Sequence, residues 1–270
     1  MESLRLASDW PVDNVSVAVV APDRVLATFG APDRTFPLAS VTKLLTAYAT
    51  LVAVEEGAIT WDEPAGPPGS TVRHLAAHAS GLNLNDDRVL AAPATRRIYS
   101  NTGFTLLADT LATHTGIPFA QYLQEAVLDP LDMPATRLDG SPASGAVSTT
   151  DDLSRFAAEL LAPRLVSVET LTEATHVAFP GLNGVLPGYG QQKPNDWGLG
   201  FELRDHKSPH WTGKHSSPET FGHFGQSGTF LWVDPAARLA CVTLTDRPFG
   251  DWAIAAWPTL TDAILSEHGA

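Results

Sequence analysis

Residues 35–57 read TFPLASVTKLLTAYATLVAVEEG, and a single charge, Lys43, occurs between Thr35 and Val54. Ser40 offers an N-cap and Gly57 a stop, so the pattern predicts a helix over residues 40–56. Its apolar residues do not keep to one stripe. A helix that is apolar on nearly all sides belongs inside a core. Ser40, Thr42, Lys43, Thr46, Tyr48 and Thr50 interrupt the run too often for a bilayer span. Other elements are therefore expected to pack all around this helix.

Those elements are legible on both sides of it. Residues 15–20 and 24–29 are β-rich and are joined by Ala21-Pro22-Asp23. Residues 229–233 and 239–245 flank Asp234-Pro235-Ala236-Ala237-Arg238. Both pairs read as hairpins. Helical patterns cover residues 72–79, 104–115, 118–127 and 148–161, and a last helix covers 252–266. Residues 61–70, 83–93 and 179–194 read as loops, the last rich in Gly and Pro. The expected fold is α+β: one antiparallel sheet built from both chain termini, flanked by helices, with a mostly helical insertion. We expect one domain over residues 1–270. Its α/β lobe would take about residues 10–60 and 195–270, and its helical lobe about 61–194.

Composition narrows the function classes. The 270 residues are 44% hydrophobic and 17% charged, which suits a large core. A formal net charge of −13 and the lack of any basic run exclude nucleic acid as a partner. The single cysteine, Cys241, allows no intramolecular disulfide and fits a reducing compartment. It lies in Leu239-Ala240-Cys241-Val242, which reads as a buried strand holding an inert thiol. The N-terminal MESLRLASDWPVDN has no long apolar h-region, so a soluble, cytoplasmic protein is expected. The sequence specifies no oligomeric state.

The chemistry starts at Ser40-Val41-Thr42-Lys43. A spacing of three puts Ser40 and Lys43 on neighbouring faces of one helical turn. A serine hydroxyl is a poor nucleophile until a base takes its proton. A lysine inside an apolar helix is desolvated, which favours the neutral amine such a base must be. The backbone N–H of Ser40, at a helix start, is free to face an oxyanion. The tetrapeptide alone is common in surface helix pairs; the apolar surroundings of Lys43 give it weight. Tyr99-Ser100-Asn101 adds a phenol that can carry a proton and an amide that both donates and accepts. His223-Phe224-Gly225-Gln226 sits in a glycine-dense run ahead of a strand, where a backbone must come close to something. A strand edge there offers a second oxyanion N–H.

Together these residues resemble the beta-lactamase-like serine hydrolases: class C beta-lactamases, DD-peptidases, penicillin-recognising enzymes and related esterases. Ser40–Lys43 resembles their S-x-x-K, Tyr99–Asn101 their Tyr-x-Asn, and His223–Gly225 the His-x-Gly that often replaces Lys-Thr-Gly. His78-Ala79-Ser80-Gly81-Leu82, Asp129-Pro130-Leu131-Asp132-Met133 and Ser148-Thr149-Thr150-Asp151-Asp152-Leu153 resemble family connectors, as does the hairpin opened by Gly228. The resemblance spans about residues 10 to 265. It implies a Ser40 acyl-enzyme, with Lys43 and Tyr99 removing the Ser40 proton and Tyr99 protonating the leaving group. It implies an oxyanion hole from the N–H groups of Ser40 and Gln226, orientation of the substrate's acyl side chain or of Lys43 by Asn101, and His223 tuning Tyr99. No cofactor or metal is implied.

Departures from the pattern shape the substrate. Lys-Thr-Gly is absent, and His223 would carry at most part-time charge in place of its lysine. Esters or small amides, or a short peptide, are expected ahead of beta-lactams. An acyltransferase sharing the acyl-enzyme and a non-catalytic peptide- or antibiotic-binding sensor are the alternatives. An α/β-hydrolase would need G-x-S-x-G, which is missing. His74 and His78 have i, i+4 spacing but lack the glutamate of H-E-x-x-H, and read as core hydrogen-bonding residues. Tyr189, Trp197, Phe201 and Trp211 are candidates either for an apolar pocket or for the core.

Overall fold

The computed structural model describes residues 1–268. Its main sheet has six antiparallel strands. They are β1 (Val15–Ala21), β2 (Arg24–Gly30), β8 (Glu202–Leu203), β9 (Phe221–Gly225), β10 (Thr229–Asp234) and β11 (Leu239–Thr245), in the order β2-β1-β11-β10-β9-β8. The two predicted hairpins are thus neighbours: β1 pairs with β11 in the register Val17↔Thr243 and Val19↔Cys241. Both chain ends build one sheet, as expected.

Each central strand is buried on both faces because the sheet has a core on each side. Ala18 and Val20 of β1, Leu231 and Val233 of β10, and Ala240 and Val242 of β11 point into one core. Val17, Val19, Phe230, Trp232 and Cys241 point into the other. A period of two, with apolar residues in both phases, is what a covered sheet requires. The second core is closed by α7 (Asp251–His268) through Ala253, Trp257, Leu260 and Ile264. Burial pushes the Cys241 thiol up to about 12, so it is inert at neutral pH.

The first core surrounds α1 (Thr42–Glu55), every residue of which from Thr42 to Ala53 is buried. Around it lie α2 (Val72–Ala76), α3 (Asn101–Thr115), α4 (Phe119–Leu123), α5 (Thr150–Leu161) and α6 (Val168–Ala174). Two small sheets complete the fold: β3 (Phe36–Pro37), β4 (Arg137–Leu138) and β5 (Ala146–Ser148), and the hairpin β6 (Gly184–Leu186) and β7 (Gly190–Gln192). Among the described residues, no helix is long and apolar enough to cross a membrane.

Four local expectations are corrected. Ser40 is not the cap of the long helix. It sits in a 3-10 turn over Ala39–Val41, and α1 begins at Thr42 with no side-chain cap. The helix predicted over 104–115 begins at Asn101, because the Ser100 hydroxyl accepts the Gly103 N–H at 2.9 Å. The loop predicted over 179–194 contains the β6–β7 hairpin, whose strands are too short to show a period. The helix predicted over 72–79 also ends early, at Ala76.

Candidate active site

The turn carrying Ser40 is pinned from two sides. Leu38 N–H donates to Ala146 O at 2.9 Å, which extends the β3–β5 pairing. From the other side, Thr229 Oγ1 donates to Leu38 O at 2.9 Å and Ser227 Oγ to Pro37 O at 2.7 Å. Ala39, next to Ser40, has φ +46°, a left-handed conformation costly for alanine. Gly225 lets β9 come this close. A Cβ there would lie 2.3 Å from Leu38 O and 3.1 Å from Ala39 Cβ.

Lys43 is fully buried, and its Nζ meets three oxygens. Asn101 Oδ1 lies at 2.7 Å, Ala143 O at 2.8 Å and Ser40 Oγ at 3.4 Å. None belongs to a carboxylate. The Tyr99 ring centroid, 4.7 Å away, favours the ammonium weakly. Burial opposes it strongly and holds the Lys43 pKa well below the ordinary 10.5. The amide of Asn101 is oriented by its own donation from Nδ2 to Asn85 Oδ1 at 2.8 Å.

Tyr99 and His223 face each other, with Tyr99 Oη 3.3 Å from His223 Nε2. His223 Nδ1 lies 2.7 Å from Phe224 O and must donate to it, so Nε2 carries the lone pair and Tyr99 donates. Burial and the neighbouring Lys43 push His223 down to about 3. This agrees with the at most part-time charge expected of His223: burial and Lys43 outweigh the bond to Phe224 O and the charge of Glu202, which favour a second proton, and the ring is neutral around pH 7. Burial raises the Tyr99 phenol above its ordinary value, more than its contact with Ser40 lowers it. Arg97, two residues before Tyr99, is buried and donates to the carbonyls of Ala77, Ala178 and Asn195, tying this turn to the β6–β7 region.

Ser40, Tyr99, Asn101, His223 and Gln226 all line one cavity of about 230 Å³. Its walls are Leu84, Leu186, Pro187, Trp197 and Phe224, with Glu202 among its lining residues. Among the described residues, the N–H groups of Ser40 and Gln226 have no backbone acceptor. Of the four aromatic candidates only Trp197 lines this cavity; Tyr189, Phe201 and Trp211 are core residues. A larger groove of about 880 Å³, beside Arg24, Arg155 and Arg164, holds none of these groups.

The sequence reading missed the layer under the cavity. Glu202 bonds Lys207 through one carboxylate oxygen, and through the other it accepts from His210 Nε2 and Trp211 Nε1, both at 2.8 Å. Burial alone would push Glu202 up; the His210 and Lys207 contacts outweigh it and hold it at about 2. The folded value is depressed, so this stabilisation is present above the ordinary 4.5 and is lost as pH falls toward about 2. Glu202→Gln is expected to cost about 3 kcal/mol at pH 7, since it leaves Lys207 buried and unpaired. Urea unfolding against pH checks this: the gap between the two proteins should narrow below pH 4.5.

A family model described as Beta-lactamase matches residues 12–264. The D-alanyl-D-alanine-carboxypeptidase/endopeptidase AmpH of Escherichia coli (strain K12) is 29% identical over 147 residues, 41% of this chain and 38% of that protein. The match thus spans well under half of that relative. A beta-lactamase structure from Mycobacterium bovis is 58% identical, with a TM-score of 0.98 over 99% of this chain and 100% of that one. EstCE1, a hydrolase with promiscuous acyltransferase activity, is 16% identical with a TM-score of 0.81 over 97% of this chain and 96% of that one, a likeness of fold. The family match runs from β1 into α7, so it takes in the whole sheet and every helix around Lys43, and the chain belongs to the beta-lactamase family of serine hydrolases.

Proposed function

We propose that this protein hydrolyses a small, uncharged ester or amide through an acyl-enzyme on Ser40. The observation that carries the reading is the environment of Lys43. A neutral amine has two N–H donors and one lone pair. Asn101 Oδ1 and Ala143 O take the two donors, and the lone pair is left for the Ser40 hydroxyl. An ammonium could place its third N–H on Ser40 Oγ, but among the described residues no carboxylate pairs with it, and burial disfavours the unpaired charge.

Ser40 Oγ attacks the carbonyl carbon and its proton passes to Lys43 Nζ. The oxyanion lies against the N–H groups of Ser40 and Gln226. Tyr99 gives its proton to the leaving oxygen or nitrogen and regains one from the Lys43 ammonium. Water then attacks the ester with the same groups working in reverse.

The cavity supports an uncharged substrate. No lysine or arginine lines it, and a carboxylate-bearing ligand would meet Glu202 and a neutral His223. At about 230 Å³ it lies below the usual range for drug-sized ligands, which suits a short acyl group. A fluorophosphonate probe read by intact mass and peptide mapping tests the reading. One adduct, on Ser40, is expected, with turnover of p-nitrophenyl acetate well above that of nitrocefin. No adduct, or an adduct elsewhere, overturns the acyl-enzyme; faster nitrocefin turnover overturns the substrate class.

A further inference from the structure

His78 follows α2 and carries two local costs. Its φ is +53°, a left-handed conformation that residues with a Cβ rarely adopt. It is also buried, and its Nε2 has no hydrogen-bond partner. The tautomer follows from the other nitrogen. Ser100 N–H lies 3.1 Å from His78 Nδ1 and can only donate, so Nδ1 holds the lone pair and Nε2 the proton. The orphan is thus an N–H donor shut away from water. An apolar side chain chosen for packing would not carry that cost.

What the residue holds is the turn around Tyr99, which it grips at three points. Before Tyr99, His78 O accepts the Ile98 N–H at 2.9 Å. After it, His78 Nδ1 accepts the Ser100 N–H. Between them the imidazole lies against the phenol, with ring centroids 4.4 Å apart. The imidazole is itself wedged by Phe104 at 5.1 Å and, edge to face, by Trp197 at 4.7 Å. Ser100 passes the constraint on: its hydroxyl donates to Asn83 O at 2.6 Å and accepts the Gly103 N–H, which starts α3 at Asn101. Burial and the nearby Lys43, His223 and Arg97 keep the imidazole uncharged, so this geometry does not change with pH around neutrality.

We propose that His78 is a positioning residue that fixes the Tyr99-Ser100-Asn101 turn, and so sets the Tyr99 hydroxyl against His223 and Asn101 Oδ1 against Lys43. This rests on the reading of Tyr99 and Lys43 as proton carriers. Two variants separate positioning from packing. His78→Phe keeps a ring and leaves Ser100 N–H without an acceptor. His78→Asn gives up the ring and offers an amide oxygen close to where Nδ1 stood.

A misplacement of about 1 Å at a reacting group costs on the order of 100-fold in rate. In His78→Phe, kcat for an alkyl acetate ester, whose leaving group needs the Tyr99 proton, should therefore fall at least roughly tenfold further than in His78→Asn, with KM of both within about threefold of wild type. Equal kcat in the two variants overturns the proposal. A second measurement needs no variant: ¹⁵N spectra of histidine-labelled wild type should show His78 protonated at Nε2 only, from about pH 5 to about pH 9. A proton on Nδ1 overturns the proposal even if neither variant folds. Fluorophosphonate labelling of wild type separates the two levels. A Ser40 adduct with equal variants sinks the positioning role alone; no adduct sinks the catalytic reading beneath it.

Discussion

Lys43→Met is expected to slow acylation of Ser40 by roughly 10²–10⁴-fold, the usual worth of a general base, and to leave the protein folded. Methionine matches the stem of lysine in length and flexibility and adds no charge. It removes the lone pair that faces Ser40 Oγ and the donors held by Asn101 Oδ1 and Ala143 O. Stopped-flow single turnovers with p-nitrophenyl acetate measure the loss. The pH dependence gives a second arm. The folded pKa of Lys43 lies well below the 10.5 it has in the unfolded chain. Between those two values the unfolded chain binds one more proton, so wild-type stability rises with pH across that window. Its contribution is complete above 10.5 and lost as pH falls through the depressed folded value. Lys43→Met should flatten that slope in urea unfolding and gain on wild type most at low pH. Wild-type kcat/KM should climb with pH through the same depressed pKa. An acylation rate in Lys43→Met equal to that of wild type would remove Lys43 from the mechanism.

The parts of this site that the sequence makes legible share one property: a local pattern with a physical cost attached. A lone lysine among apolar residues in a helix has to be buried or has to break the pattern, so Lys43 announces itself. The β1, β10 and β11 strands announce themselves through continuous apolar runs between turns. The parts that stay hidden depend on long-range packing of irregular chain. Ala143 contributes a backbone carbonyl from a tight turn, and any residue there would supply the same atom. Glu202 lies in a two-residue strand, and its partners Lys207, His210 and Trp211 sit in a loop at spacings that match no helix or strand period. His78 looks like a core histidine in sequence because its contacts to Ile98 and Ser100 close across some twenty residues of loop. The substrate cavity is hidden for the same reason: Leu84 and Leu186 come from segments that read as loops.

Tyr99→Phe tests the other proton carrier, and its effect should depend on the leaving group. The substitution keeps the ring that packs on His78 and faces Lys43 Nζ, and it removes only the hydroxyl held by His223 Nε2. Burial keeps the wild-type phenol protonated well above neutrality, so the resting enzyme holds a proton donor beside Ser40. That proton matters little to a leaving group that departs as a stable anion, and a great deal to one that does not. Hydrolysis of an alkyl ester or an anilide should therefore fall by roughly 10²–10⁴-fold in Tyr99→Phe. Acylation by a p-nitrophenyl ester, whose phenolate leaves without help, should fall far less. Steady-state rates with the alkyl ester and burst kinetics with the p-nitrophenyl ester read the two arms. A loss of the same size for both would mean that Tyr99 serves the Ser40 proton alone, and that the leaving group takes its proton from the Lys43 ammonium. His223 sharpens the distinction. In Tyr99→Phe its Nε2 lone pair loses its donor, a cost shared by every substrate, so only the difference between substrates measures proton donation.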